Sequence, residues 1–424
     1  VFYAGRWRTV LVSGLGSGGK GYFALDVTDP DNPAHLFSFA HDASEKFVYT
    51  WAADGRRTTY SYLVAGAVPA AADFSALGDA WSKPVILPIP YLGGTRWVAV
   101  IGGGYSGGAK TGYGSAVYVL DLENSGQVLA KIALADNPAS DIGNGVAPTL
   151  AAITADGTTL AAYRGAIAYF TDLQGKLWKI NLTGSGTLFN AEPVFNAEAT
   201  RANDRWAYHG LGSSIVADSD GANRLYHFFG TGNQLDLHRM DNAIQNRAFG
   251  VKDKDFPATR NSDGAHPFTA GSALQDIAPG SGVAQCPLPT QRGWYANLAT
   301  VRVPPGSGPY LGPHQRVTGK AAIYNKSALF SLYQPQIANA CDLGTGRLLE
   351  LEYRCGSALQ ATTLGSGIPT GAVVHKGKVY LGISGSGGTP PTGWTRKDSV
   401  LVGTPAAGAV KGGAVKIESW REVR

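Results

Sequence analysis

Methionine occurs once in this 424-residue chain, cysteine three times, and charged residues make up only 16% of it. The formal charge of +5 is small for the length and no run of Lys or Arg stands out, which excludes the basic patch a nucleic-acid partner requires. No apolar stretch approaches the ~20 residues of a membrane-spanning helix. The cysteines, Cys286, Cys341 and Cys355, are nowhere adjacent and allow at most one internal bridge. The short loop makes Cys341–Cys355 the expected disulfide, stabilising by roughly 3 kcal/mol in an oxidising compartment and leaving Cys286 over. Three free thiols are the alternative in a reducing one. Val1 is not an initiator methionine and the first residues already read as a strand, so the numbering is expected to begin inside a longer precursor.

Glycine, by contrast, is abundant at 57 residues, with 23 prolines and 44% hydrophobic residues, a balance that favours many short strands over long helices. The clearest unit is IAYFTDLQGKLWKINL, Ile167 to Leu182: an apolar and aromatic run, a polar Gly-containing turn, then an alternating run. Period-2 alternation on both sides of a tight turn predicts a hairpin. The same layout recurs from Val10 to Val27, Trp97 to Leu122 and Leu225 to Asp253, and more weakly from Ala328 to Tyr353 and Val379 to Ser419. A repeated unit with an apolar face it cannot bury alone is satisfied by packing radially against its copies. The expected fold is therefore all-β: a single β-propeller domain over residues 1–424, of six to seven irregular blades with long insertions. A stacked β-sandwich is the competing architecture. The segment from Ala40 to Gly78 reads as an irregular insertion with a little helix, and Asp253 to Gly293 as an exposed, loop-rich excursion.

Motifs that carry chemistry are scarce. Gly14, Gly16 and Gly19 satisfy GxGxxG, but an alternating strand follows them where a phosphate site needs a helix N-terminus. A Gly-rich hairpin is the simpler account. His209 and His227 lie in strand-like contexts without metal-ligand spacing, and Ser106, Ser213 and Ser214 lack the strand-to-helix elbow of a nucleophile. Asp253 and Asp255 read as a solvated loop end rather than an acid and base pair. In ADSDGANR, Asp218, Asp220 and Asn223 surround Gly221 as half an EF-hand loop without its terminal Glu. They are the metal candidates, calcium the possible cofactor, and an Asp-Gly hairpin turn accounts for them equally.

GLGSGGKGYFALDVTDP, YGSAVYVLDL, YFTDLQGKLWKINL, FFGTGNQLDLHRMDNAIQNRAFGVKD and the terminal SWREVR, in this order, resemble the C-terminal β-propeller region of the PilY/PilC family, the tip-associated and adhesin proteins of type IV pili. The resemblance implies an exported, non-enzymatic pilus biogenesis factor at the cell surface, pilus tip, outer membrane or periplasm. It also implies minor pilins, or a host-cell or surface receptor, as partners. Loops Phe256 to Gly293 and Ser384 to Trp394 would present Phe268, Tyr295 and Trp394 as binding anchors. Family members often carry a calcium loop before the central hairpin, of which only Asp156-Gly157 remains here. Two rival readings follow: a quinoprotein-type dehydrogenase, against which stands the missing vicinal cysteine pair, and a calcium-dependent regulator of pilus retraction.

Overall fold

The computed structural model describes residues 1–154, 164–262, 264, 266–277, 286–303, 308–336, 343–385 and 389–405. After a small hairpin of Phe2–Tyr3 and Arg6–Trp7, six sheets of four or five strands follow one another along the chain. The first runs in order Val10–Gly14, Gly21–Asp26, Ala34–Asp42, Phe47–Trp51 and Arg57–Ser61. The second joins Val85–Tyr91, Gly94–Gly102, Ala116–Asp121 and Gln127–Ala133. The third joins Ala151–Thr154, Gly165–Thr171, Lys176–Thr183 and Ala191–Asn196, and the fourth Gly212–Ala217, Asn223–Gly230, Arg247–Asp253 and Gly293–Asn297. In the fifth, Arg316–Val317 and Ala322–Tyr324 both pair with Ser327–Gln334, followed by Thr345–Glu352 and Ala358–Ser366. The sixth holds Val373–His375, Lys378–Gly382, Val400–Gly403 and, at its edge, Thr395–Lys397.

The central hairpin shows why the sheets stack in series. Its strands pair Ala168 with Ile180 and Phe170 with Trp178 on one face, and Ile167 with Asn181 and Tyr169 with Lys179 on the other. Because successive side chains point to opposite faces, Ala168, Phe170, Trp178 and Ile180 pack on the second sheet with Val98 and Val117. Ile167, Tyr169 and Leu177 pack on the fourth with Phe229 and Phe249. A hairpin buried on both faces is the inner part of a propeller blade. Similar clusters join the first sheet to the second, the fourth to the fifth and the fifth to the sixth. Gly212–Ala217, Ala322–Tyr324 and Val373–His375, each at an edge of one of the last three sheets, lie in contact one with the next, as blades about a common axis require. The expected propeller is the architecture observed. Among the described residues, no buried cluster joins the sixth sheet to the first, and Leu11, Val373 and Val400 remain exposed on these end sheets.

Two segments depart from expectation. Residues 40–78 are not an irregular insertion: Phe47–Trp51 and Arg57–Ser61 complete the first sheet, and a single 3-10 turn at Ala70–Ala72 follows. The excursion after Asp253 is pinned down. Phe268–Thr269 adds in parallel to the third sheet and Gln275–Asp276 to the fourth, with a four-residue helix, Ala270–Ala273, between them. Parallel additions of two residues leave no alternating pattern to read.

Candidate functional site

Strand alternation sends the loops at 15–20, 103–115, 172–175 and 231–246 to one end of the molecule, where they meet the inter-sheet connectors. Backbone bonds lock them together. Ala80 N donates to Gly19 O (3.1 Å), Asp79 N to Tyr105 O (2.6 Å), Gly143 N to Gly108 O (3.0 Å), Leu173 N to Gly145 O (2.9 Å) and Gln245 N to Asn203 O (2.9 Å). These bonds satisfy backbone that would otherwise be buried unpaired.

Inside this frame stands an aromatic wall. Trp81 stacks on Tyr105 (centroids 4.7 Å), Tyr105 adjoins Tyr208 (6.0 Å) and Tyr208 stacks on Trp206 (5.9 Å). Ile142 and Leu173 close the cluster. Gly108 sits at positive φ directly against the Trp206 ring, so a Cβ there would collide with the indole. The Arg201 guanidinium covers Trp206 at 5.7 Å. Burial pushes the Tyr105 and Tyr208 hydroxyls above the ordinary tyrosine range, so both stay protonated. The indole N–H groups of Trp81 and Trp206 and the Ser106 hydroxyl are buried without a protein hydrogen-bond partner.

Buried ion pairs brace the wall. Asp204, fully buried, lies 3.0 Å from Arg316 Nε and accepts a bond from Asn246 Nδ2 (3.2 Å), while Arg316 donates to Arg239 O (2.6 Å). Asp172 accepts from Trp178 Nε1 (2.8 Å) and from Lys176 N (3.0 Å), and burial raises its pKa to about 6 despite the Lys176 ammonium 3.9 Å away. At the outer surface of this end Leu15, Leu235 and Met240 are 40–56% exposed on their loops. Rigid aromatic packing below and apolar side chains above make a pre-organised, partly apolar surface.

The sequence-derived candidates fall elsewhere. Phe268 and Trp394, expected as exposed anchors, are 6% and 7% exposed. Phe268 joins Phe195 (5.4 Å) between the third and fourth sheets, and Trp394 packs over Gly403 in the sixth. Their aromatic area is drawn into the cores, which corrects that assignment. Tyr295 is half-buried, its hydroxyl donating to Asp276 (2.8 Å) and its ring lying under Arg247 (4.5 Å). The disulfide also differs: Cys355 bridges Cys286, Cα atoms 4.1 Å apart, and Cys341 lies outside the described residues. Loop length weighs only the entropy of closure, whereas the fold brings the excursion back onto the fifth sheet.

Asp218 and Asp220 do come together, at the turn joining Gly212–Ala217 to Asn223–Gly230. Arg224 bonds Asp218 (3.0 Å) and grips Asp220 through two nitrogens (2.7 Å each), and Lys252 Nζ donates to Asp218. Asn223 is exposed at the strand start. With these carboxylates neutralised by two cations, the segment does not fit calcium and is a hairpin turn. Among the described residues, no group of three or more His, Cys, Asp or Glu is arranged for a metal. Asp156-Gly157 lies outside the described residues.

Ser213 and His227 meet at 3.0 Å, but burial lowers the imidazole pKa to about 4 and its Nε2 has no protein partner. A nucleophilic triad requires a carboxylate there to orient the ring. Asp253 is buried rather than solvated, held by Tyr169 (2.9 Å) and Lys179 (3.3 Å). The GxGxxG glycines form the turn between Val10–Gly14 and Gly21–Asp26, with no helix behind them.

The aromatic wall itself carried a signal that spacing arguments missed. Asp79-Ala80-Trp81 and Asp204-Arg205-Trp206 are the same D-x-W triplet in two connectors. In both, the backbone N–H of the Trp donates back to the Asp carbonyl at 2.8 Å, a tight turn that tips the indole towards the wall.

Comparison with known proteins gives the architecture its relatives. A family model described as the PilY1 β-propeller domain matches residues 72–276. The chain is similar to type IV pilus biogenesis factor PilY1 of Pseudomonas aeruginosa, 29% identical over 225 residues, 52% of this chain and 15% of that protein. A PilY1 homolog of Xylella fastidiosa is 25% identical over 377 residues, 84% of this chain and 22% of the other. The crystal structure of the P. aeruginosa PilY1 C-terminal domain superposes with a TM-score of 0.56 over 91% of this chain and 80% of that one, at 20% identity, a likeness of fold. The chain thus spans only about 15–22% of the length of these two relatives. With the repeated hairpins, the serial blades and these matches agreeing, this chain is similar to the PilY/PilC family, the family model covering residues 72–276.

Proposed function

We propose that this propeller is a non-enzymatic binding module of an exported type IV pilus biogenesis factor, working at the cell surface or pilus tip. Its loop-bearing end docks a minor pilin or a surface receptor. The observation that carries this reading is the set of apolar side chains Leu15, Leu235 and Met240, standing exposed on loops that are hydrogen-bonded to the connectors bearing the aromatic wall. Apolar anchors on a pre-organised frame bind without a large ordering cost. The relatives' names support the pilus role. No described helix is long and apolar enough to cross a membrane.

The test is Leu235→Asp with Met240→Asp in the full-length protein of a piliated host. Surface pili and adhesion are expected to fall several-fold at unchanged protein level. Undiminished piliation and adhesion would remove the loop end from the proposal.

A further inference from the structure

Away from the loop end, a cavity of about 340 Å3 opens at the rim of the first sheet, between its outer strands, the segment around the 3-10 turn and the Ser125–Gln127 turn of the second sheet. Its size is at the lower end of ligand pockets, about 300–1,000 Å3, and suits one small unit rather than a protein surface. The floor is apolar and rigid: Phe39 and Phe74 are 2% and 1% exposed and stack with centroids 3.8 Å apart. The walls are polar. Cross-strand pairing sets Thr50 beside Thr58 on one face, with Tyr60 two residues further along the same strand and Arg56 at the mouth.

No hydrogen bond or ion pair within the protein engages the side chains of Thr50, Thr58, Tyr60 or Arg56 among the described residues. Among the described residues, Arg56 is also the one charged residue lining the cavity. The nearby Asp54 turns its carboxylate back to accept from the Arg56 backbone N–H (2.9 Å), within its own turn. The site therefore offers three unengaged hydroxyls, an aromatic floor and a guanidinium, which takes a carboxylate through paired N–H bonds.

From this we infer that the cavity binds a saccharide unit bearing a carboxylate, a sialic or uronic acid, with its hydroxyls on Thr50, Thr58 and Tyr60 and its acid group on Arg56. A sugar ring presents both halves of the match: C–H faces for the phenylalanine floor and a belt of hydroxyls for the walls. An acidic peptide is the competing occupant, but its side chains supply one carboxylate without the hydroxyls that the walls are set to meet. The inference concerns a different surface from the docking end and stands whether or not the pilus reading holds.

The experiment is saturation-transfer NMR and calorimetry on this chain with N-acetylneuraminate, glucuronate, glucose and an acidic tripeptide. At least one of the two acids is expected to bind with a Kd of roughly 1 mM. Arg56→Gln should weaken that acid about tenfold, to the level of glucose, and Thr58→Val with Tyr60→Phe should weaken acid and glucose alike. Arg56 and Thr58 are exposed, so unchanged melting curves will certify the variants as folded. Silence of both acids on the folded protein, binding undiminished in Arg56→Gln, or tighter binding of the tripeptide overturns the assignment. Whichever acid binds identifies the source of the carboxylate.

Discussion

Asp172 shows how far one carboxyl can be displaced by its surroundings. Its pKa is raised to about 6 by burial, so the folded chain holds that proton more tightly than the unfolded chain does. A group raised in this way makes stability fall as pH rises, here from about pH 4 through about pH 6, by up to roughly 3 kcal/mol. Asp172→Asn should flatten that decline in urea-unfolding curves. It should also cost about 1–3 kcal/mol at low pH, where the Trp178 indole N–H would face an amide NH2. Gly108 makes a second prediction at this scale. Gly108→Ala forces a Cβ into the Trp206 ring at a positive φ, and should shift indole fluorescence and lower the melting temperature. The sequence placed neither residue. Asp172 reads as a turn aspartate, and its burial depends on Lys176, Trp178 and the connector that covers them.

At the scale of elements, the hairpins were legible because period-2 alternation is a local property that tertiary contacts only reinforce. Every strong repeat is a hairpin in the structure, including the central one with its turn at Asp172 to Gly175. What those hairpins bury was not legible. Phe195 touches Phe249 at 5.2 Å and Phe268 at 5.4 Å, from strands far apart in the chain. Phe195→Ala should cost about 3–5 kcal/mol in denaturant unfolding, against less than about 0.5 kcal/mol for Leu92→Ala, which is 89% exposed. The bridge belongs to this scale too. Cys286–Cys355 spans 69 residues, and removing it should cost about 4 kcal/mol in the loop-entropy model. Cys286→Ser should abolish the effect of reductant on the melting temperature, and Cys341→Ser should preserve it.

Among the described residues, five apolar interfaces join six sheets, so within them the inner sheets are covered on both faces and the end sheets on one. Hydrogen exchange should follow that order. Amides of Gly165–Thr171 and Lys176–Thr183 should exchange most slowly, and those of Phe47–Trp51 and Val373–His375 among the fastest of the strands. Uniform protection would contradict the serial arrangement. Strand existence, the repeated hairpin and the resemblance to a propeller family were written in the order of the residues, because each rests on neighbours within a few tens of positions. The cysteine partner, the burial of Phe268 and Trp394, the cations that occupy Asp218 and Asp220, and the wall of Trp81, Tyr105, Trp206 and Tyr208 were settled only when the sheets packed. Those contacts join residues tens of positions apart, and which of them meet is decided by the registry of one blade on the next.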